Sequence, residues 1–236
     1  MARRHFLAIP ALFLLLLPAQ SGLAAGKSAA AGDLEQVLHQ LDQSAKNFRS
    51  ASADFEFKNI QTVPVPDTDV MTGTVYFEHR GGGVQMAAHV KQRNGQAYGA
   101  VYTYTHGVFQ LYDQQLNQVR KLQNSGNLAG YISLGFGASG SQLQEQFQIT
   151  YLGEETIDGV KTDKLQLIPK DQKARNLFNK IIIWIDPTRD VNLKQVFDEG
   201  QGLSRTCTYT HIEYNRSISS SEFKFNTNKN TQFTTQ

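Results

Sequence analysis

From Ala51 to near Phe225 the chain alternates apolar and polar residues with a period of two, cut by short turn signals. A helix face repeats about every 3.6 residues, so this stretch can bury one side only as β-strand. Strand-like runs lie near 53–62, 70–80, 84–92, 98–106, 108–113, 116–122, 147–153, 160–169, 180–186, 191–198, 205–215 and 221–226. The breaks are Gly81-Gly82-Gly83, Asn94-Gly95, His106-Gly107, Asp158-Gly159, Asp186-Pro187 and Glu199-Gly200. Asn-Gly and Asp-Gly favour tight hairpins, because both central residues tolerate positive φ. Many short strands joined by tight turns imply one antiparallel sheet, strongly curved or closed. The stretch 124–146 is the exception: it is glycine-rich and ends in a short helical piece. The polar tail "NTNKNTQFTTQ" is expected to fray.

The N-terminus has a different pattern. Arg3 and Arg4 precede an apolar run from Phe6 to Leu17, followed by Gly22, Ala24 and Ala25. That is the layout of a secretory signal peptide, and the run is shorter than the ~20 residues a spanning helix needs. Residues 1–25 are expected to be removed on export, leaving 26–236 as a single soluble domain in the periplasm. The signal holds two of the 23 basic residues and none of the 21 acidic ones, so the remainder is formally neutral. Nothing in that balance points to nucleic acid. Cys207 is the sole cysteine, so no internal disulfide is possible and stability must come from a core.

Residues 26–32, "GKSAAAG", read as a linker. A single amphipathic helix follows, with Leu34, Val37, Leu38, Leu41, Ala45 and Phe48 at helical spacing. Asp33 and Gln36 have the spacing of a capping box. So apolar a face must cover something.

Candidate chemistry is sparse. Glu78, His79 and Arg80 are consecutive, but strand neighbours point to opposite faces: Val75, Phe77 and His79 share one, Tyr76, Glu78 and Arg80 the other. The three cannot converge on one substrate. The histidines His39, His79, His89, His106 and His211 lack metal-ligand spacing, and no metal or cofactor is expected. "GFGASG", Gly135–Gly140, matches G-x-G-x-x-G, but the helical piece after it is too short for a parallel crossover. It is expected to be a flexible loop. Ser139 is followed two residues on by Ser141, which breaks a nucleophile elbow. The chain is therefore not expected to be an enzyme. Trp184, in "KIIIWIDP", and the tyrosines of "YTYTH" read as core, as a ligand-lining platform, or as one on each face.

The order of these pieces resembles a known family. After the helix come "SADFEF", "GTVYFEHR" and "THGVFQLYDQQLNQV", then "DKLQLIPKD", "KIIIWIDP", "LKQVFDEGQG" and "SEFKFN". In this the chain looks like the periplasmic outer-membrane lipoprotein carriers (LolA-like), from about Leu34 to Phe225. The resemblance implies a mainly β (α+β) fold: a curved, incompletely closed antiparallel β barrel of about eleven strands, with a helical lid. It implies an apolar cavity for acyl chains, with acylated lipoproteins or lipid as cargo. Partners would be an inner-membrane release complex and an outer-membrane acceptor, and the carrier a monomer. Parity counted from Gly73 puts Val75 and Phe77 on the cavity side, and alternation elsewhere suggests Met86, Phe109, Leu111, Leu165, Leu167, Ile183 and Phe223. The lid stripe would be Leu34, Val37, Leu38, Leu41 and Phe48. The family's lid-holding arginine lies six residues after the motif glycine. That place is His79 here, with Arg80 next to it, so either is expected to latch the lid by donating to its carbonyls. Two other readings stay open: a LolA-like lipid- or lipoprotein-sensing regulator, and an exported hydrolase.

Overall fold

The structure is a computed structural model that describes residues 22–81, 83–122, 131 and 134–235, with the side chains of 22–32 left aside. Most of the expected signal segment lies outside the described residues. No described helix is long and apolar enough to cross a membrane.

Among the described residues, twelve strands form one sheet. They are β1 (Ser50–Gln61), β2 (Asp67–Arg80), β3 (Gly83–Arg93), β4 (Gln96–Thr105), β5 (Val108–Asp113) and β6 (Gln118–Leu122). Then come β7 (Phe147–Ile157), β8 (Val160–Pro169), β9 (Lys180–Asp186), β10 (Val191–Gly200), β11 (Leu203–Tyr214) and β12 (Gln232–Thr235). The spatial order is β12-β6-β5-β4-β3-β2-β1-β11-β10-β9-β8-β7. Because β7 and β12 sit at opposite ends without pairing among the described residues, the sheet is open, as expected of an incompletely closed barrel. The helices are α1 (Gly22–Asn47), α2 (Gly140–Gln146) and α3 (Gln172–Arg175), with a 3₁₀ turn at Ser220–Phe223.

Most turns form where the sequence places them, but the one between β10 and β11 falls at Gln201-Gly202, past the expected Glu199-Gly200. Asn94, His106 and Asp158 take positive φ, each followed by a glycine that does the same, which closes three hairpins. Gly73 has a different role. The β2–β3 register shifts beside it, and a Cβ there would run into the carbonyl of His89 on β3, so only glycine lets the strands come this close.

Three expectations are corrected. First, α1 spans Gly22–Asn47, so 26–32 is not a linker and Asp33 lies inside the helix, not at its cap. Three alanines, the strongest helix formers, carry the helix through this segment. Second, residues 221–226 are not a strand. Ser219 Oγ accepts from the Ser221 amide and caps the 3₁₀ turn. Third, the polar tail does not fray. It pairs with β6 as β12, and that pairing is parallel in an otherwise antiparallel sheet. Thr231 Oγ1 donates to Asn117 Oδ1 at 2.8 Å and the Gln232 amide to the Asn117 carbonyl at 3.0 Å, which docks the tail on the edge of β6.

The core has two parts. Val37, Leu38 and Leu41 of α1 pack with Leu143 of α2 on Phe147, Leu165, Leu167, Ile181 and Ile183. Burying each aliphatic side chain contributes about 1.5–3 kcal/mol, an upper figure for a partly collapsed unfolded chain. The second part gathers Phe48, Phe55, Val75, Phe77, Met86 and Phe136 on strands β1 to β4. The apolar stripe of α1 therefore packs on the β7–β9 half of the inner face.

Candidate functional site: an apolar cavity beside the helix

The other half of the inner face holds a cavity of about 550 Å³, within the usual size of ligand sites. Its walls are one parity of several strands. Phe55 and Phe57 come from β1, Met71, Val75 and Phe77 from β2, and Met86, Ala88 and Val90 from β3. Tyr102 and Phe109 continue it across β4 and β5, and Phe197, Cys207 and Tyr209 line it from β10 and β11. Phe178 and Tyr131 close one side: Phe178 lies 5.1 Å from the Phe197 ring and Tyr131 5.6 Å from that of Phe178.

The glycine-rich turn is no loose loop. Phe136 is fully buried, stacked on Phe77 at 4.2 Å and set edge-on to Tyr209 at 5.0 Å. Gly137 follows with φ of +79°, and a Cβ there would overlap the Phe48 ring. The turn packs behind the wall residues Phe77 and Tyr209 and against Phe48, just past the C-terminal end of α1. The expectation of flexibility fails because glycine here serves close packing as well as positive φ.

The wall residues Gln195 and Tyr209 belong to a paired polar network that runs behind the cavity. The Trp184 amide donates to Asn192 Oδ1 at 3.2 Å, Asn192 Nδ2 to Gln195 Oε1 at 3.1 Å, and Gln195 Nε2 to the Tyr209 hydroxyl at 2.8 Å. Burial raises the Tyr209 phenol well above its usual range and pushes the Cys207 thiol up to about 12. Both stay neutral, so they present an uncharged surface.

Val75, Phe77, Met86 and Phe109 stand in the cavity wall. Leu111 is on the same side but packs against the neighbouring core. Leu165, Leu167 and Ile183 are on the inner face yet fully buried beneath α1, so they support the helix and do not line the cavity. Parity gives a residue's face, not which part of that face a helix already occupies. Phe223 lies on the opposite face: its 3₁₀ turn packs on β3, where His89 Nε2 donates to the Glu222 carbonyl at 2.8 Å. Trp184 also faces outward, between Lys164 and Lys194 at 4.9 and 4.7 Å. Sequence reasoning missed Phe55, Phe57, Met71, Phe178, Phe197 and Tyr209. The alternation of β1 already carried Phe55 and Phe57.

The lid stripe is buried but divided: Phe48, just past the end of α1, packs in the cluster on β1 to β4, apart from the helix residues. Val37, Leu38 and Leu41 are buried, with Leu34 half-buried against the same cluster, and Phe48 is buried in the other. The latch is a different group from the one expected. Among the described residues neither the His79 nor the Arg80 side chain hydrogen-bonds to α1; the His79 amide donates to the Arg49 carbonyl at 2.8 Å. Arg80 is outward and exposed, 3.8 Å from Glu78, whose carboxylate also accepts from Gln85 Nε2 at 2.6 Å. The tie runs through Asp42 of α1, which accepts from the Ser141 amide at 2.9 Å and Ser141 Oγ at 3.0 Å. The Ser141 amide holds the Asp42 carboxyl below its ordinary value, with help from Ser141 Oγ, His39 and Lys46. No spacing motif in the sequence links Asp42 to Ser141, 99 residues away.

A family model described as "-like: Uncharacterized protein" matches residues 101–236, more than half of the chain. The chain belongs to that family. Over 117 residues it is 29% identical to uncharacterized protein MJ0687 of Methanocaldococcus jannaschii, covering 50% of this chain and 32% of that protein. This family member thus spans about a third of that relative's length. An uncharacterized conserved protein from Thermus thermophilus shares its fold at a TM-score of 0.54 and 11% identity, covering 86% of this chain and 99% of that one. MucB does so at 0.50 and 14%, covering 82% and 63%. A looser match is the LolA superfamily protein NE2245 from Nitrosomonas europaea, at 0.41 and 13%, covering 81% and 97%.

Proposed function

We propose that this protein is a non-enzymatic periplasmic carrier, holding acyl chains of a lipoprotein or a related lipid in the cavity beside α1 and ferrying them from the inner to the outer membrane. The observation that carries the reading is an apolar, aromatic-rich cavity of about 550 Å³ left open in the sheet. Its size and lining suit an acyl chain, and the wall groups Gln195 and Tyr209 are already paired, so an apolar ligand leaves neither unsatisfied. Burial of acyl chains contributes about 0.8 kcal/mol per methylene, enough to take a lipid out of water without a covalent step. The sequence resemblance to the lipoprotein carriers adds the direction of transfer and the membrane partners, an inner-membrane release complex and an outer-membrane acceptor. The test is mass spectrometry of solvent extracts from the purified protein. Stoichiometric intact acyl lipid supports the carrier. An empty extract, together with no uptake of a fluorescent fatty acid, overturns it, and hydrolysed product would mark an enzyme.

A further inference from the structure

Three arginines stand on the cavity side of the sheet, and two of them are neutralised. Arg205 lines the cavity and ion-pairs with Glu199 at 2.6 Å. Arg93 lies opposite Met71, a wall residue, and ion-pairs with Asp69 at 2.8 Å. Arg120 is the third. On β6 it is directly opposite Leu111 of β5, and Leu111 is opposite Tyr102 of β4, so all three share a face. Tyr102 is a wall residue, as are Phe109 and Leu122 beside them. Among the described residues Arg120 has no carboxylate partner, and its Nε is buried without a hydrogen-bond acceptor. The acid nearest in register, Asp113, is already engaged. Its Oδ2 accepts from the Tyr98 hydroxyl at 3.1 Å, and its Oδ1 from the amides of Gln115 and Leu116 at 3.0 and 3.1 Å.

A buried guanidinium donor without an acceptor costs free energy, and such groups are ordinarily paired or bound to a ligand. We propose that Arg120 anchors the anionic end of the amphiphile whose acyl chain fills the cavity, so that the preferred ligand carries a carboxylate or phosphate next to its apolar tail. The field of Arg120 reaches the Tyr102 phenol, which places the charge beside the wall. A guanidinium suits the role because its planar fork can donate twice to either oxyanion. This inference rests on the carrier reading and names the class of cargo.

The experiment compares binding of cis-parinaric acid and of its methyl ester to the full chain, by fluorescence, for the parent protein, Arg120→Gln and Arg120→Lys. One charge-assisted pair predicts that the parent binds the acid about tenfold or more tighter than the ester. Arg120→Gln should lose that preference while its affinity for the ester and its melting temperature stay near the parent's, and Arg120→Lys should keep part of it. Competition by lysophosphatidate but not by monoacylglycerol would assign the anchor to phosphate as well. Equal affinity of the parent for acid and ester overturns the anchor and leaves the carrier standing, as does an undiminished preference in Arg120→Gln. Failure of both probes to bind the parent removes the carrier reading itself.

Discussion

Cys207 shows how one buried side chain records the character of the cavity. Its thiol is almost fully enclosed and burial pushes its pKa up to about 12, against an ordinary 9.0. The folded state thus holds the proton more tightly than the unfolded state. The stability this represents is fully present below the ordinary thiol pKa and is lost as pH rises towards the folded value. Between pH 9.0 and about 12 the loss should approach about 1.4 kcal/mol per pH unit. Cys207→Val should flatten that alkaline limb in urea titrations repeated at several pH values; an unchanged slope would contradict a buried thiol. Asp42 has the opposite sign. Its lowered pKa means that its tie to Ser141 is present above the ordinary carboxyl pKa and is lost only as pH falls through the lowered folded value. The group is largely exposed, so the effect on global stability is small. Asp42→Asn should instead speed hydrogen exchange at the Ser141 amide, with little change in melting.

At the scale of elements, α1 is a wedge seated on the β7–β9 half of the sheet. Leu41 is at its centre, 2% exposed among Leu165, Ile183 and Phe147. Leu41→Glu puts an unpaired carboxylate into that contact and should cost about 2–5 kcal/mol in denaturant unfolding. A loss under about 0.5 kcal/mol, the range of surface substitutions, would mean that the helix is not docked as described. The Phe136–Gly137 turn is sensitive for another reason. Gly137→Ala combines positive φ with a clash on Phe48 and should cost roughly 1–3 kcal/mol. The helix was legible from its stripe of leucines, and most strands from period two and their Asx-Gly turns. Strand β12 was not, because an edge strand whose residues are all exposed carries no apolar alternation. Its position is set by the open edge of β6 and by Asn117, both remote in sequence.

Across the whole molecule, the open sheet divides its inner face between a helix and a cavity. Parity alone could not draw that line: Phe77 and Leu165 are equally apolar and equally inward, yet one lines the cavity and the other supports α1. The latch was obscure for a related reason, since the Asp42–Ser141 tie depends on where α2 lands beside α1. The division gives a last prediction. A ligand that binds only the folded state at a concentration of 100 times its Kd adds about 2.7 kcal/mol of stability. A saturating acyl ligand should therefore raise the melting temperature of the parent protein by several degrees. Ala88 is a small residue in the cavity wall on β3 and only half-buried, so Ala88→Trp can fill the space without displacing packed core. The variant should melt near the parent without ligand and show no shift with it. If Ala88→Trp keeps the full shift, the acyl chain sits elsewhere, and the cavity between β1, β3 and β11 is not its site.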